Sequence, residues 1–321
     1  MNLGYCCINL TLKSEDISTN RGMIKRTFKE KGLSYAGELA YQNILDLQKI
    51  LQWNLEQGIM IFRMSSSLFP WMSEYEFEDL PNFESIKDEL AKAGKFVLDT
   101  GMRVGFHPGQ FNVLPSPREH VVLNSIKDLS QHARILDLMN LPSTKEYSLN
   151  IHVGGSFQSK DQTEEEAKRI TLERFCKNYQ RLPESVKRRL VIENDDKETQ
   201  YGVKDLYDGL YKTLGIPITF DFFHHTFCTN DMTIEEAATM AASTWPEGIR
   251  PLAHYSSSRK INEDLDTKSP RSHADYIYEK IPDIGNIFDI EVEAKAKDLA
   301  ILRYLEQFEI ENGSYTLFPY F

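Results

Sequence analysis

Cysteine is scarce in this chain of 321 residues, with four in all: Cys6, Cys7, Cys176 and Cys228. They show neither C-x-x-C spacing nor a disulfide framework, which argues against a structural thiolate zinc site and fits a reducing cytoplasm. No long uncharged apolar run is present, so no segment reads as a membrane-spanning helix. The opening residues, M-N-L-G-Y-C-C-I-N-L, lack a basic leader and a cleavage site, and the expectation is a chain without a signal peptide. Positive charge is in deficit as well. Lys and Arg number 37 against 48 Asp and Glu, for a net charge of −11. Such a balance disfavours indiscriminate nucleic-acid binding but leaves room for a local basic surface. Repeats, low-complexity segments and linkers are missing too, so residues 1–321 are expected to form one domain.

What is present is an apolar fraction of 41%, ample for a large core, and a recurrent strand ending. In I-P-I-T-F-D-F-F-H-H (216–225) a short β-rich run exits into Asp221, His224 and His225. A buried Asp needs a partner, and adjacent imidazoles repel if both are charged; a divalent cation resolves both problems. For this stretch alone, a satisfied core His beside a capping Asp explains the residues equally well. Five further runs tilt the balance, because each also finishes on a metal-type side chain: His107, His152, Glu193, His254 and Glu293.

Hydrophobic periodicity places strands at 3–7, 59–63, 103–107, 148–152, 190–193, 218–221, 249–254 and 287–293. Helices are expected at 36–57, 83–100, 121–139, 163–179, 203–213, 233–243, 272–280 and 294–308, with 16–34 a polar loop over the mouth. Eight alternating units with ligands at strand exits predict an α/β fold, a single (β/α)8 TIM barrel with its site at the C-terminal strand ends. A doubly wound sheet is the alternative, but it would gather ligands at one switch point.

Ordered motifs now carry a resemblance. These are G-Y-x-x-x-N (4–9), F-H-P-G-Q-F (106–111), N-I-H-V-G-G (150–155), E-N-D-D-K (193–197), D-x-x-H-H (221–225), A-H-Y-S-S (253–257), R-S-H-A-D-Y (271–276) and V-E-A-K-x-K-D (292–298). Together, and over nearly the whole chain, they resemble the UV damage endonuclease family, a TIM barrel related in layout to endonuclease IV and the xylose isomerases. The resemblance implies a DNA-repair enzyme that nicks double-stranded DNA immediately 5′ to UV photoproducts (cyclobutane dimers and 6-4 photoproducts). The expected products are a 3′-hydroxyl and a 5′-phosphate. It also implies a cluster of two or three divalent cations, usually manganese, with zinc or magnesium as alternatives. His107, His152 and Glu193 would hold one ion. Glu193, Asp221, His254 and Glu293 would hold a second, and His224 and His273 would help with a third. Glu193, His254, Glu293 and Lys295 are the expected catalytic residues, although Lys295 could merely cap the last helix.

Gln110 and Phe111 match the family's lesion probe, usually Gln-Tyr; an ordinary apolar residue at the barrel mouth is the competing explanation of Phe111. Tyr5 and Asn9 are expected near the lesion or a phosphate, with a core role open for Tyr5. Ser257, Arg259, Lys260 and Arg271, with Lys268, read as a phosphate-contacting loop or else a solvated one. A monomer in the cytoplasm, associated with the nucleoid when on DNA, is the expected state. Two positions depart from the family: Leu252 stands where a lysine able to carry a carboxyl group is frequent, and Glu74 where a histidine is. Two rivals stay open: a sugar isomerase of the same superfamily, which uses similar metal ligands, and a photoproduct-binding protein that has lost cleavage through these two positions.

Overall fold

The structure is a computed structural model and describes residues 2–309; the aromatic tail 315–321 lies outside them. Eight strands form its centre: β1 Asn2–Cys6, β2 Ile61–Met64, β3 Arg103–Phe106, β4 Leu149–His152, β5 Leu190–Glu193, β6 Ile218–Asp221, β7 Leu252–Tyr255 and β8 Asp289–Val292. They pair in sequence order, each pair parallel, and β8 closes on β1. The fold is therefore the expected (β/α)8 barrel. Nearly every strand residue is buried, because one face fills the barrel and the other lies under helices. Register is what builds the site. His152 pairs with Glu193, Asp221 with His254, and His254 with Glu291, so these side chains emerge at matching heights.

The outer layer comprises α1 Lys25–Glu56, α2 Phe83–Thr100, α3 Glu119–Leu138, α4 Glu164–Tyr179, α5 at 203–214, α6 Ile234–Ala242 and α7 Asp298–Tyr304. Thr163 and Thr233 open α4 and α6 with reciprocal capping boxes to Glu166 and Glu236. Two expectations about helices fail. Within 16–34, helix begins at Lys25 and is interrupted at Gly32 (φ 64°), because Lys, Arg and Glu are good helix formers on an exposed face. The helix expected at 272–280 is not formed. That stretch spends its backbone on neighbours instead: Ala274 N–H donates to Ser257 O (2.9 Å), and Ala274 O accepts from Lys295 N–H (3.1 Å). Strand seven starts at Leu252 rather than 249, and strand eight at Asp289, after a 3₁₀ turn at Asp283–Ile287.

Tyr5 and Asn9, expected near DNA, are packed inside the wall. Tyr5 has no exposed surface and lies 5.1 Å from the Phe62 ring. Its hydroxyl donates to Asn54 Oδ1 of α1 (2.8 Å) and accepts from Asn9 Nδ2 (2.9 Å). Asn9 Oδ1 accepts from Leu12 N–H (2.7 Å) and caps the turn Leu10–Lys13. Burial pushes the phenol of Tyr5 far above its ordinary range. Tyr5→Phe should then lower stability by about 1–3 kcal/mol, since it strands the buried Asn54 oxygen. Urea unfolding measures that loss, and discrimination between damaged and intact DNA should not change.

Candidate metal centre

The barrel interior at the C-terminal end of the strands is a cluster of carboxylates and imidazoles. Glu193, 1% exposed at the end of β5, is its hub. Its Oε2 lies 2.9 Å from His107 Nε2 and 3.7 Å from His152 Nε2, and it accepts from Asn150 Nδ2 at 2.5 Å. Its Oε1 faces the other way, 3.1 Å from His254 Nδ1 and 3.4 Å from His224 Nδ1. Two donor groups result, each with ligand atoms within 4.8 Å of one another: His107, His152 and Glu193; and Glu193, Asp221 and His254.

Glu193 Oε1 and Asp221 Oδ2 are buried acceptors without a hydrogen-bond partner. Asp221 Oδ1 is occupied, accepting from His224 N–H at 2.7 Å. Orphaned acceptors of this kind are costly unless something positive lies between them. Mixed oxygen and imidazole donors fit manganese or zinc. The imidazoles are also prepared for ligation, because an acceptor sits by one nitrogen of each. His107 Nδ1 is 3.3 Å from Pro108 O, His152 Nδ1 3.1 Å from Asp195 Oδ1, and His224 Nδ1 2.9 Å from Asn194 O. His273 Nδ1 is 3.0 Å from Glu293 O, and His254 Nε2 is 3.2 Å from Glu291 Oε2.

Electrostatics reflect this crowding. Burial would raise the carboxyl of Glu193, but the charges of His254 and His152 and the bond from His107 hold it well below the usual carboxylate range. Burial raises the carboxyl of Asp221 from its ordinary value despite His224. For His152, burial is opposed and outweighed by Glu193 and Asp195, raising it to about 10. His254 is raised well above its ordinary value in the same way, burial losing to Glu193 and Glu291. A cation held here would compete with protons for the imidazoles, so its affinity would weaken as pH falls.

Other expected residues are placed differently. Glu293 joins neither donor group: its Oε1 lies 2.5 Å from Arg63 Nη2. Burial would raise its carboxyl, and Arg63 holds it far below the usual range. The His224 and His273 rings stand 6.4 Å apart. Lys295 is exposed, as is Glu74. Leu252 packs with Val191 and Trp245 in an apolar layer beneath Glu193 and His254. Sequence reasoning assigned no role to Asn150, Asp195, Glu291 or Arg63, all of which touch the cluster. A charge inside the apolar run I-F-R-M was the available signal for Arg63, and strand parity with Glu293 the signal for Glu291.

Beside the cluster opens a cleft of about 470 Å³, bordered by His152, His224, Gly154, Asp195 and the loop carrying Gln110 and Phe111. Phe111 is 83% exposed at the loop tip. The base is fixed by Asn112 Nδ2, which donates to Asp128 (2.7 Å), and by Val113 N–H, which donates to Ser125 Oγ (2.9 Å). Across the mouth, the loop after β7 is more internally engaged than expected. Ser257 is buried and accepts from Tyr278 N–H (3.1 Å). Arg259 pairs with Asp275 (3.5 Å) and Arg271 with Asp196 (3.2 Å), while Lys260 and Lys268 remain exposed.

A family model described as UV-endonuclease UvdE matches residues 1–316. Among relatives, the chain is 36% identical over 320 residues to a UV-damage endonuclease of Schizosaccharomyces pombe, covering 97% of this chain and 51% of that one. It thus spans about half the length of that relative. It is 31% identical over 319 residues to a UV DNA damage endonuclease of Clostridium perfringens, covering 97% and 72%. The crystal structure of SacUVDE superposes with a TM-score of 0.81 at 30% identity, over 97% of this chain and 99% of that one.

Proposed function

The chain belongs to the UV-endonuclease UvdE family, and from that premise we propose that it is a divalent-metal-dependent endonuclease that nicks duplex DNA 5′ to UV photoproducts. The observation that supports this most is Glu193, one carboxylate turned towards two histidines through one oxygen and towards Asp221 and His254 through the other. Bound cations, manganese first among the candidates, would supply an activated water and offset charge at the phosphorus. His107, His152 and Glu193 would hold one, and Glu193, Asp221 and His254 another. Glu293, His224 and His273 would complete the cluster, with Glu293 leaving Arg63 to do so. Hydrolysis on the 3′-oxygen side would leave a 3′-hydroxyl and a 5′-phosphate.

Recognition falls to Gln110 and Phe111. An exposed aromatic on a fixed loop can fill the space vacated when a damaged dinucleotide leaves the stack. The adjoining cleft would receive what is extruded. A free sugar needs no such exposed wedge, which favours a polymer substrate over the isomerase alternative. Incubation with Mn²⁺ and an end-labelled duplex carrying one cyclobutane dimer, beside an intact duplex and a ketohexose, tests the proposal. Cleavage confined to the damaged duplex supports it, and turnover of the sugar alone defeats it.

Phosphate contacts should be few, given the −11 charge and the internal pairing of Arg259 and Arg271. The slope of log affinity against log salt is expected to be about −3 to −5. Charge reversal at Lys260 and Lys268 should weaken damaged and intact duplexes alike, by filter binding at two salt concentrations. Selective loss of damaged DNA would make that loop a lesion reader instead.

A further inference from the structure

We propose that Glu291 is a positioning residue: it holds the His254 ring so that Nδ1 faces the cluster, and Arg63 holds Glu291. This inference rests on the metal-dependent reading above. His254 is reversed relative to His107 and His152. Those two turn Nε2 to Glu193 and have Nδ1 beside a different oxygen. His254 instead has Nε2 3.2 Å from Glu291 Oε2 and Nδ1 3.1 Å from Glu193 Oε1.

The barrel explains the reversal. His254 and Glu291 are directly paired across β7 and β8, so their side chains rise together on the inward face. Glu291 lies one inward position below Glu293, at 4% exposure, and belongs to neither donor group. It touches the far side of a histidine that belongs to one of them. His254 Nε2 and Glu291 Oε2 are 3.2 Å apart without meeting hydrogen-bond geometry, so the pair is an electrostatic contact; a carboxylate on the far side of a ligating histidine is its usual support. Arg63 closes the arrangement from β2. Its Nε lies 3.5 Å from Glu291 Oε2 while its Nη2 reaches Glu293 Oε1 at 2.5 Å. One guanidinium therefore faces both the carboxylate behind His254 and the carboxylate beside it.

A plain buried ion pair between Arg63 and Glu291 would matter to stability and not to one cation in particular. Mn²⁺ titration followed by electron paramagnetic resonance separates the two roles, with thermal unfolding of the metal-free proteins as the control. The parent should bind at least two ions. Glu291→Gln keeps the volume and one neutral acceptor, and should weaken a single ion about 10-fold; Glu291→Leu should weaken the same ion about 100-fold. The other ion shares Glu193 but not His254, so it should weaken by a smaller factor, about 3-fold at most. If Glu291→Leu does not fold, the selective loss in Glu291→Gln decides. Parent-like binding in a folded variant overturns the proposal, and so does equal weakening of both ions. A parent that binds no Mn²⁺ contradicts the metal-dependent reading itself, and the proposal falls with it.

Discussion

Glu193→Gln should strip both candidate cations from the protein and abolish nicking. The substitution keeps the volume of a side chain that is 1% exposed, so packing around it should survive. What it removes is a charge shared by two groups. One oxygen becomes an NH₂ donor aimed at His107 and His152, or else at Asp221 and His254, and either way one cation loses an acceptor. The other keeps a neutral oxygen among imidazoles whose main counter-charge has gone. Loss of metal should lower the nicking rate by about 10³-fold or more, roughly 4 kcal/mol of transition-state stabilisation. Elemental analysis of the purified variant and single-turnover cleavage measure the two effects. Normal activity with full metal content would show that Glu193 does not bridge cations.

Phe111→Ala should leave metal content untouched and damage recognition. The ring is 83% exposed in the free protein, so truncating it removes almost no packing. On DNA, the same ring would stack in the gap left by the photoproduct, an interaction worth about 1–3 kcal/mol per base. That contact forms only once the lesion has left the stack. The preference for damaged over intact duplex should therefore fall by about one to two powers of ten, at 1.4 kcal/mol for each. Phe111→Tyr should retain or improve discrimination. Competition binding with a dimer-bearing duplex and its undamaged twin reads the ratio directly. An unchanged ratio in Phe111→Ala would leave Phe111 as a surface residue and move recognition elsewhere.

Strand exits were the most legible feature of the chain. A run of apolar residues that stops at His107, His152, Glu193, Asp221 or His254 marks both a strand and its C-terminal end, and the barrel brings these five together. Strand parity decides between the two roles left open for Tyr5, in favour of the core. Gly4 lies so near Ile61 that a Cβ there would sit 2.2 Å from the Ile61 carbonyl, and the next residue projects outward onto α1. Residues 272–280 carry polar, helix-compatible side chains, yet non-local backbone bonds to Ser257 and to 295–296 claim the stretch first. Arg63 and Glu291 were hidden for a different reason: their meaning is a contact between β2, β7 and β8, strands separated by more than two hundred residues at the extreme. No short window of sequence contains that contact.

The most direct test of the account is a cleavage map at single-nucleotide resolution. A duplex with one defined cyclobutane dimer, labelled at its 5′ end, is treated with the Mn²⁺-loaded protein and, in parallel, with protein stripped by chelator. The account predicts one product from the loaded protein, ending immediately 5′ to the dimer in a 3′-hydroxyl that a polymerase extends, and none from the stripped protein. Uncut duplex under both conditions, or cutting that is indifferent to the dimer or to the chelator, would contradict it.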